Sequence, residues 1–236
     1  MGGDDVGDPV LEAYDQTVQW RLLAGVEDTE LQQLISVARR RRFDRHEVVF
    51  HRDDPADSLH LIVKGRFAVR IMTPVGDTVT ISVLGPDDSF GEMALIGGES
   101  RRSATVLALE RAETLALYKD DFERLRAQYP AVNDVLLRFL VRELRAMNER
   151  LLEALYVPSE RRVVRRLTEL TAGGAGEGGV EVPLTQEQLA ELAGTSRSTV
   201  NRVLRQEEKR GTVALRRGRT TVLDRDALAR RARGHR

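Results

Sequence analysis

Thr185–Arg205 reads TQEQLAELAGTSRSTVNRVLR. Thr185 and Gln188 have capping-box spacing: the hydroxyl can accept from the third helical amide while the Gln side chain reaches back. A helix is therefore expected from Gln186, with Leu189, Leu192 and Ala193 on its inner face. Gly194 permits a tight turn. Ser196 can cap a second helix, Arg197 to about Lys209, whose inner face is Val200, Val203 and Leu204. Arg197, Ser198, Asn201, Arg202 and Arg205 are left on the outer face. A helix-turn-helix requires this arrangement, because residues early in its second helix reach base edges in the major groove. Arg197 and Arg202 can fork to guanine O6 and N7, and Ser198 and Asn201 are lesser candidates for base contact. Thr185, Ser196, Thr199 and Arg205 are expected on phosphates, which sets register without reading sequence. The bland alternative is an ordinary helical pair with solvated arginines.

Working outward, Thr212–Leu215, Arg216-Arg217-Gly218-Arg219 and Thr220–Leu223 read as a β-hairpin with a basic tip, a wing whose Arg217 and Arg219 would lie against the DNA backbone. Upstream, Thr171–Gly179 holds five glycines in nine residues and reads as a flexible loop. No Lys-Ser/Thr pair follows it, so it is not a phosphate-binding loop. Val163–Leu170 is expected to be helical, and Pro158 marks a helix end and a hinge. Before it, Ala131–Tyr156 contains no internal Gly or Pro. There Leu137, Leu140, Leu144, Met147, Leu151 and Ala154 step by threes and fours, the seam of a helix that wants a partner helix. Leu136, Phe139 and Leu155 lie on other faces and are expected to pack against the chain's own barrel. Packing of the seam itself against that barrel is the alternative to dimerisation.

The N-terminal half reads differently. Leu22, Leu23, Val26, Leu31, Leu34 and Ile35 suggest short helices within residues 9–40. From about Arg41 to Tyr118 come strand-like runs at Glu47–His51, Ser58–Val63, Phe67–Met72, Thr78–Leu84 and Ala104–Leu109, with Asp, Pro and Gly punctuation between them. That spacing suggests a small β-roll or barrel.

Thirty-seven basic residues balance thirty-seven acidic ones, but unevenly. Pro158–Arg236 carries 17 Lys+Arg against 10 Asp+Glu, which leaves 20 against 27 in the rest. A basic C-terminal third suggests a nucleic-acid-binding end, with a solvated Arg-rich surface as the alternative. The chain has no cysteine, which excludes disulfides, cysteine-ligated zinc, iron–sulfur clusters and thiol redox sensing. His46, His51, His60 and His235 form no ligand-spaced cluster, so no haem or metal is expected. No apolar run approaches the roughly 20 residues of a membrane span. Met1–Asp8 lacks the layout of a signal peptide. A cytoplasmic protein without a membrane partner is expected. No nucleophile–base pair, metal-ligand spacing or Walker motif points to an enzyme.

Phe90–Val106, FGEMALIGGESRRSATV, is the remaining informative stretch. Gly91 lets backbone amides approach an anion. Arg102 offers a charge and Ser103 a hydroxyl to a phosphate, and Glu92 offers two acceptors to a ribose.

With these motifs, residues 18–228 resemble the family of the cyclic-AMP receptor protein and the fumarate–nitrate reductase regulator. The resemblance implies an α+β fold with three parts: N-terminal helices and a jelly-roll-like cyclic-nucleotide-binding β-roll (1–130), a long dimerisation helix (131–157) and a winged helix-turn-helix (158–236). It implies a homodimeric transcription regulator that binds double-stranded DNA at a pseudo-palindromic operator. There is no prosthetic group, and a cyclic nucleotide, cyclic AMP before others, is the effector. Carried over, Glu92 binds the ribose 2′-hydroxyl, Arg102 and Ser103 bind the cyclic phosphate, and Gly91, Met93 and Ala104 complete the pocket. In cyclic-AMP-responsive members a Thr-Ser or Thr-Asn pair on the long helix contacts adenine; here those positions are Met147 and Asn148. Where the family often has Arg-Glu in the recognition helix, this chain has Arg197-Ser198, which removes an acceptor for base amino groups. RNA polymerase is the further partner that activation would require, but no patch for it stands out. Two other readings stay open. One keeps the DNA-binding fold but uses another effector, such as cyclic di-GMP, or none. The other is a nucleotide-binding module regulating a partner protein, against which the helix-turn-helix argues.

Overall fold

Strand β3, Ser58–Lys64, shows how the N-terminal half packs. Its side chains alternate between two cores, as the two-residue period of a strand dictates. Leu59 and Leu61 join Trp20, Leu34, Ile35, Leu115, Leu117, Phe122, Leu136 and Phe139. Ile62 joins Phe43, Phe67, Phe90, Val106, Ala108 and Ala112. The structure is a computed structural model that describes residues 20–23, 28–93, 101–128, 131–172 and 178–234. It forms two compact units, Met1–Val69 with Leu84–Arg145, and Arg70–Val83 with Ala146–Arg236.

Around β3 lie α1 (Asp28–Val37), β1 (Arg39–Phe43), β2 (Val48–Phe50), β4 (Phe67–Met72), β5 (Thr78–Leu84), β6 (Ser89–Phe90), β7 (Thr105–Ala108) and β8 (Ala112–Tyr118). One four-stranded sheet has the order β1-β8-β3-β6 and the other β2-β7-β4-β5. Helices α2 (Lys119–Gln128) and α3 (Ala131–Tyr156) follow. Strands β2, β4, β5 and β7 fall within the expected runs and β3 extends one residue past its run, to Lys64, whereas β1, β6 and β8 lie outside them. Strand β8 is buried along most of its length and shows no alternation to read. β1 begins with four arginines, and instead of apolar partners they have Glu113, which pairs with Arg40 and Arg42, and Tyr118, which meets Arg39 and Arg41. Arg39 and Arg40 are therefore strand rather than helix. Only Arg21–Leu23, a 3₁₀ turn, and α1 represent the expected N-terminal helices; Val26 and the residues before Trp20 lie outside the described ones.

Leu136 and Phe139 enter the roll's core as expected, but Leu155 is exposed. Leu137, Leu140, Leu144, Met147 and Leu151 are between 41% and 62% exposed, so the seam has no cover among the described residues. Helix α3 stops at Tyr156, and Pro158 precedes α4 (Ser159–Leu170).

Helix α4 buries Val163, Val164, Leu167 and Leu170. Its partners are α5 (Gln186–Ala193), α6 (Arg197–Lys209) and α7 (Arg225–Arg233). The wing is β10 (Val213–Arg216) and β11 (Arg219–Val222), joined by β9 (Val180–Glu181) in the order β10-β11-β9. The glycine-rich loop falls largely on residues 173–177, outside the described ones. Neither β9 nor α7 is among the elements expected from the sequence. Helix α7 begins at Asp224, whose side chain accepts from the Ala227 amide, and it buries Leu228 and Ala232. A buried carboxylate, Glu207 of α6, ties the end of the recognition helix to its surroundings. It accepts from the Thr212 hydroxyl at 2.8 Å and from Arg210 at 3.0 Å, and it pairs with Arg231 of α7.

Candidate effector pocket and DNA-reading surface

The cassette starts where β6 ends. Gly91 has φ +87°, and a Cβ there would sit 2.7 Å from the Ser58 carbonyl and 2.8 Å from Arg102 Nη1, so only glycine fits. The Arg102 side chain is buried. Its Nη1 donates to Ser58 O at 2.6 Å, and its Nη2 donates to Ser58 Oγ at 2.9 Å and to Asp57 Oδ1 at 3.0 Å. The guanidinium carbon lies 4.0 Å from the centre of the Phe50 ring, a cation–π contact. Nε is buried with no partner among the described residues. Burial pulls the Arg102 pKa down, and the Asp57 carboxylate works against that shift. Glu92 is half-buried, and its pKa is raised, first by desolvation; the nearby Glu143 charge adds to the rise. The Ser103 hydroxyl is exposed and, among the described residues, donates to Met93 Sδ at 3.4 Å.

The structure thus brings Gly91 against Arg102 and Met93 against Ser103, with Ala104 half-buried beside them. Residues 94–100 of the cassette lie outside the described ones. Met147 and Asn148 stand exposed on α3. The sequence expectation treats Arg102 as a charge waiting for a phosphate, whereas here it already has partners. Those partners, Asp57, Ser58 and Phe50, escaped the sequence reading because they lie more than forty positions away with no local signal. His60 is the buried histidine of the roll; it stacks on Phe90 at 4.9 Å and hydrogen-bonds Thr114 at 3.0 Å.

The second surface is built by helix ends. Thr185 and Gln188 form the capping box, and Gly194 closes α5 in the left-handed region at φ 59°. The Ser196 hydroxyl accepts from the Thr199 amide and starts α6. Val200, Val203 and Leu204 point into the core, which leaves Arg197, Ser198, Asn201, Arg202 and Arg205 exposed. Asn201 donates to Gln186 Oε1 at 3.3 Å, Arg205 pairs with Glu208 at 3.0 Å, and Arg202 pairs with Glu160 of α4 at 2.8 Å. Arg217 and Arg219 are exposed at the β10–β11 turn, with Arg219 3.7 Å from Glu181. Thr185 and Ser196 keep exposed hydroxyls even while capping.

Residues 40–129 match the family described as "Cyclic nucleotide-binding domain", and residues 161–231 match "Crp-like helix-turn-helix domain". The CRP-like cAMP-activated global transcriptional regulator of Mycobacterium tuberculosis is 33% identical over 217 residues, covering 90% of this chain and 96% of that protein. This chain belongs to the Crp/Fnr family. Another member, the cyclic AMP receptor protein of Thermus thermophilus, is 34% identical over 209 residues, 87% of this chain and 93% of its own. The crystal structure of Thermus thermophilus catabolite activator protein matches with TM-score 0.51 at 32% identity, covering 91% of this chain and 99% of that one. FixK2 from Bradyrhizobium japonicum, at 19% identity, shares the fold with TM-score 0.68 over 82% of this chain and 96% of its own.

As a Crp/Fnr member, the chain is a cyclic-nucleotide-regulated, DNA-binding transcription regulator, and the family is not a class of enzymes. No described helix is long and apolar enough to cross a membrane. No group of three or more acidic or histidine side chains among the described residues is placed to hold a metal ion. Sequence reasoning missed α4's first turn, where Glu160 reaches the recognition helix. A carboxylate forty-two positions from its arginine gives no periodic signal.

Proposed function

We propose that this Crp/Fnr regulator is a cytoplasmic homodimer, controlled by cyclic AMP bound in the roll, that binds a pseudo-palindromic operator. The polar outer face of α6 carries this reading, capped at Ser196 and backed by Val200, Val203 and Leu204 on the inner face. Arg197 and Arg202 read bases, with Ser198 and Asn201 beside them. Thr185, Ser196, Thr199, Arg205, Arg217 and Arg219 hold phosphates. Glu92, Arg102 and Ser103 hold the ribose and cyclic phosphate, with Gly91, Met93 and Ala104 around them, and Met147 and Asn148 meet the base. The uncovered seam on α3 supports dimerisation, since side chains of that size gain about 1.5–3 kcal/mol each on full burial. Residues 1–130, 131–157 and 158–236 act as sensor, dimer helix and DNA-binding part. Effector binding shifts the dimer toward a state whose recognition helices lie about 34 Å apart, one turn of DNA. RNA polymerase is the further partner when the outcome is activation.

Cyclic AMP is favoured because the relatives at 33% and 34% identity are a cAMP-activated regulator and a cyclic AMP receptor protein, and because Arg102-Ser103 and Glu92 are in place. A second reading, another effector or none, is supported by Met147, which offers no hydroxyl to a base, and by the partners Arg102 already has. Isothermal titration with cyclic AMP, cyclic GMP and cyclic di-GMP separates the two. Micromolar or tighter binding of cyclic AMP alone is expected. If none of the three binds, the effector assignment fails while the DNA-binding reading stands.

A further inference from the structure

Pro158 ends one helix and starts another, and the first turn of α4 does more than change direction. The Arg162 guanidinium donates to four carbonyls. Nη1 bonds Val157 O at 2.8 Å and Ala154 O at 3.2 Å, at the carboxyl end of α3. Nε bonds Ala193 O at 2.8 Å and Nη2 bonds Gly194 O at 2.7 Å, at the carboxyl end of α5. Carbonyls at helix ends lack intrahelical partners and carry the negative end of the dipole. One cation satisfies two such ends, so α4's first turn is fixed against the turn of the helix-turn-helix.

That fixed turn presents Glu160. Its carboxylate meets Arg202 Nη2 at 2.8 Å, across to the outer face of the recognition helix, and both groups are about half exposed. The carboxylate pKa is lowered, first by its own backbone N–H in the opening turn and then by Arg202, so the group is charged at neutral pH. An arginine on a long stem reaches either a base edge or any nearby phosphate. A carboxylate that occupies one edge of the fork leaves the remaining N–H groups pointing along a fixed direction. It also repels a phosphate that approaches the same guanidinium.

We propose that Glu160 is a specificity-determining residue: held by the Arg162 clasp, it orients Arg202 for base reading and weakens its use as a general phosphate contact. Specificity gained by penalising the wrong partner is a difference of affinities rather than added affinity. The proposal rests on the assignment of Arg202 to the base-reading face.

The test uses the full chain, the Glu160→Gln variant, which keeps shape and removes charge, and Arg202→Ala. Duplexes bound by wild-type protein are selected from a random-sequence pool and sequenced. Fluorescence anisotropy then measures the winning duplex, its single-base variants and poly(dI-dC), with melting temperature as a control on folding. Arg202→Ala is expected to lose about tenfold discrimination at one base pair per half-site. Glu160→Gln is expected to lose roughly threefold or more at that same base pair while binding poly(dI-dC) more tightly, as fits one repulsive charge removed from a phosphate surface. If Arg202→Ala relaxes a base pair and Glu160→Gln does not, the Glu160 proposal is overturned and the reading of Arg202 stands. If Arg202→Ala lowers affinity equally for all sequences, Arg202 is a phosphate contact and both fail. A pool that yields no enriched sequence overturns the base-reading assignment together with the proposal.

Discussion

Arg102 and Asp57 form an ion pair of unequal exposure: the guanidinium is 4% exposed and the carboxylate 64%, at 3.0 Å. The buried partner is fixed by Ser58 and Phe50, and the exposed one faces solvent. A cyclic phosphate that approaches Arg102 must share or replace this carboxylate. Asp57→Asn removes the competing charge and is expected to tighten cyclic AMP binding about three- to tenfold by titration calorimetry, since one nearby like charge has an effect of this order. Weaker binding would show instead that Asp57 holds Arg102 in its working pose.

Ser103 provides a cleaner probe of the phosphate role than Arg102. Truncating Arg102 removes three hydrogen bonds and a ring contact from the interior, so lost binding would be confounded with lost stability. Ser103 is exposed, and its one partner among the described residues is a thioether. Ser103→Ala is expected to weaken cyclic AMP binding roughly tenfold, the loss of one hydrogen bond to a charged group, with an unchanged melting temperature. Unchanged affinity would remove Ser103 from the pocket.

The two motifs differ in how much of them the sequence reveals. The helix-turn-helix is legible because its determinants are local: Thr185 bonds a residue three positions on, Gly194 turns at its own φ, and Ser196 caps its own helix. Pro158 is legible for the same reason. β8 pairs on both sides with strands more than fifty positions away in places, and nothing within Ala112–Tyr118 announces this. The four arginines of β1 look like a solvated run until Glu113 and Tyr118 are brought beside them. In the cassette, residue identities are legible but the state of Arg102 is not, because Asp57 and Ser58 reach it only through the tertiary fold.

Glu207 gives a stability prediction. Its carboxylate is fully buried, yet Arg210 and Arg231 reach it from partly exposed positions, and Thr212 joins the wing to it. Glu207→Ala leaves the Thr212 hydroxyl and two arginines without their shared acceptor and opens a cavity. A loss of about 3 kcal/mol in denaturant unfolding is expected, at the low end for a buried charge pair because both cations reach water. A loss under about 1 kcal/mol would place this network among surface ion pairs.

The α3 seam predicts the oligomeric state. Leu144 is exposed in the single chain, midway along the seam. Leu144→Glu would set two carboxylates against each other in a paired helix, while in a monomer it would merely replace an exposed leucine. Sedimentation equilibrium is expected to show a dimer for the wild type and a monomer for the variant, with near-identical circular dichroism. A variant that stays dimeric would move the interface elsewhere.

His60 makes stability fall toward acid pH. Its pKa is lowered to about 3, first by burial and then by Arg102 and Arg41. The free imidazole titrates near 6.5, so between these values the unfolded chain binds a proton that the folded chain refuses. The stabilising contribution is complete above about pH 6.5 and is lost as pH falls toward 3. From pH 7 to pH 5 the loss amounts to about 2 kcal/mol for this one group. His60→Gln keeps a polar group near Thr114 without a titrating ring, and should lower stability at neutral pH while flattening the slope. Urea unfolding of both proteins at pH 7 and pH 5 measures the difference between the slopes, and carboxylates common to both cancel. Parallel slopes would mean that His60 takes up its proton in the folded roll, which its stacking on Phe90 and its place between Phe43 and Phe50 argue against.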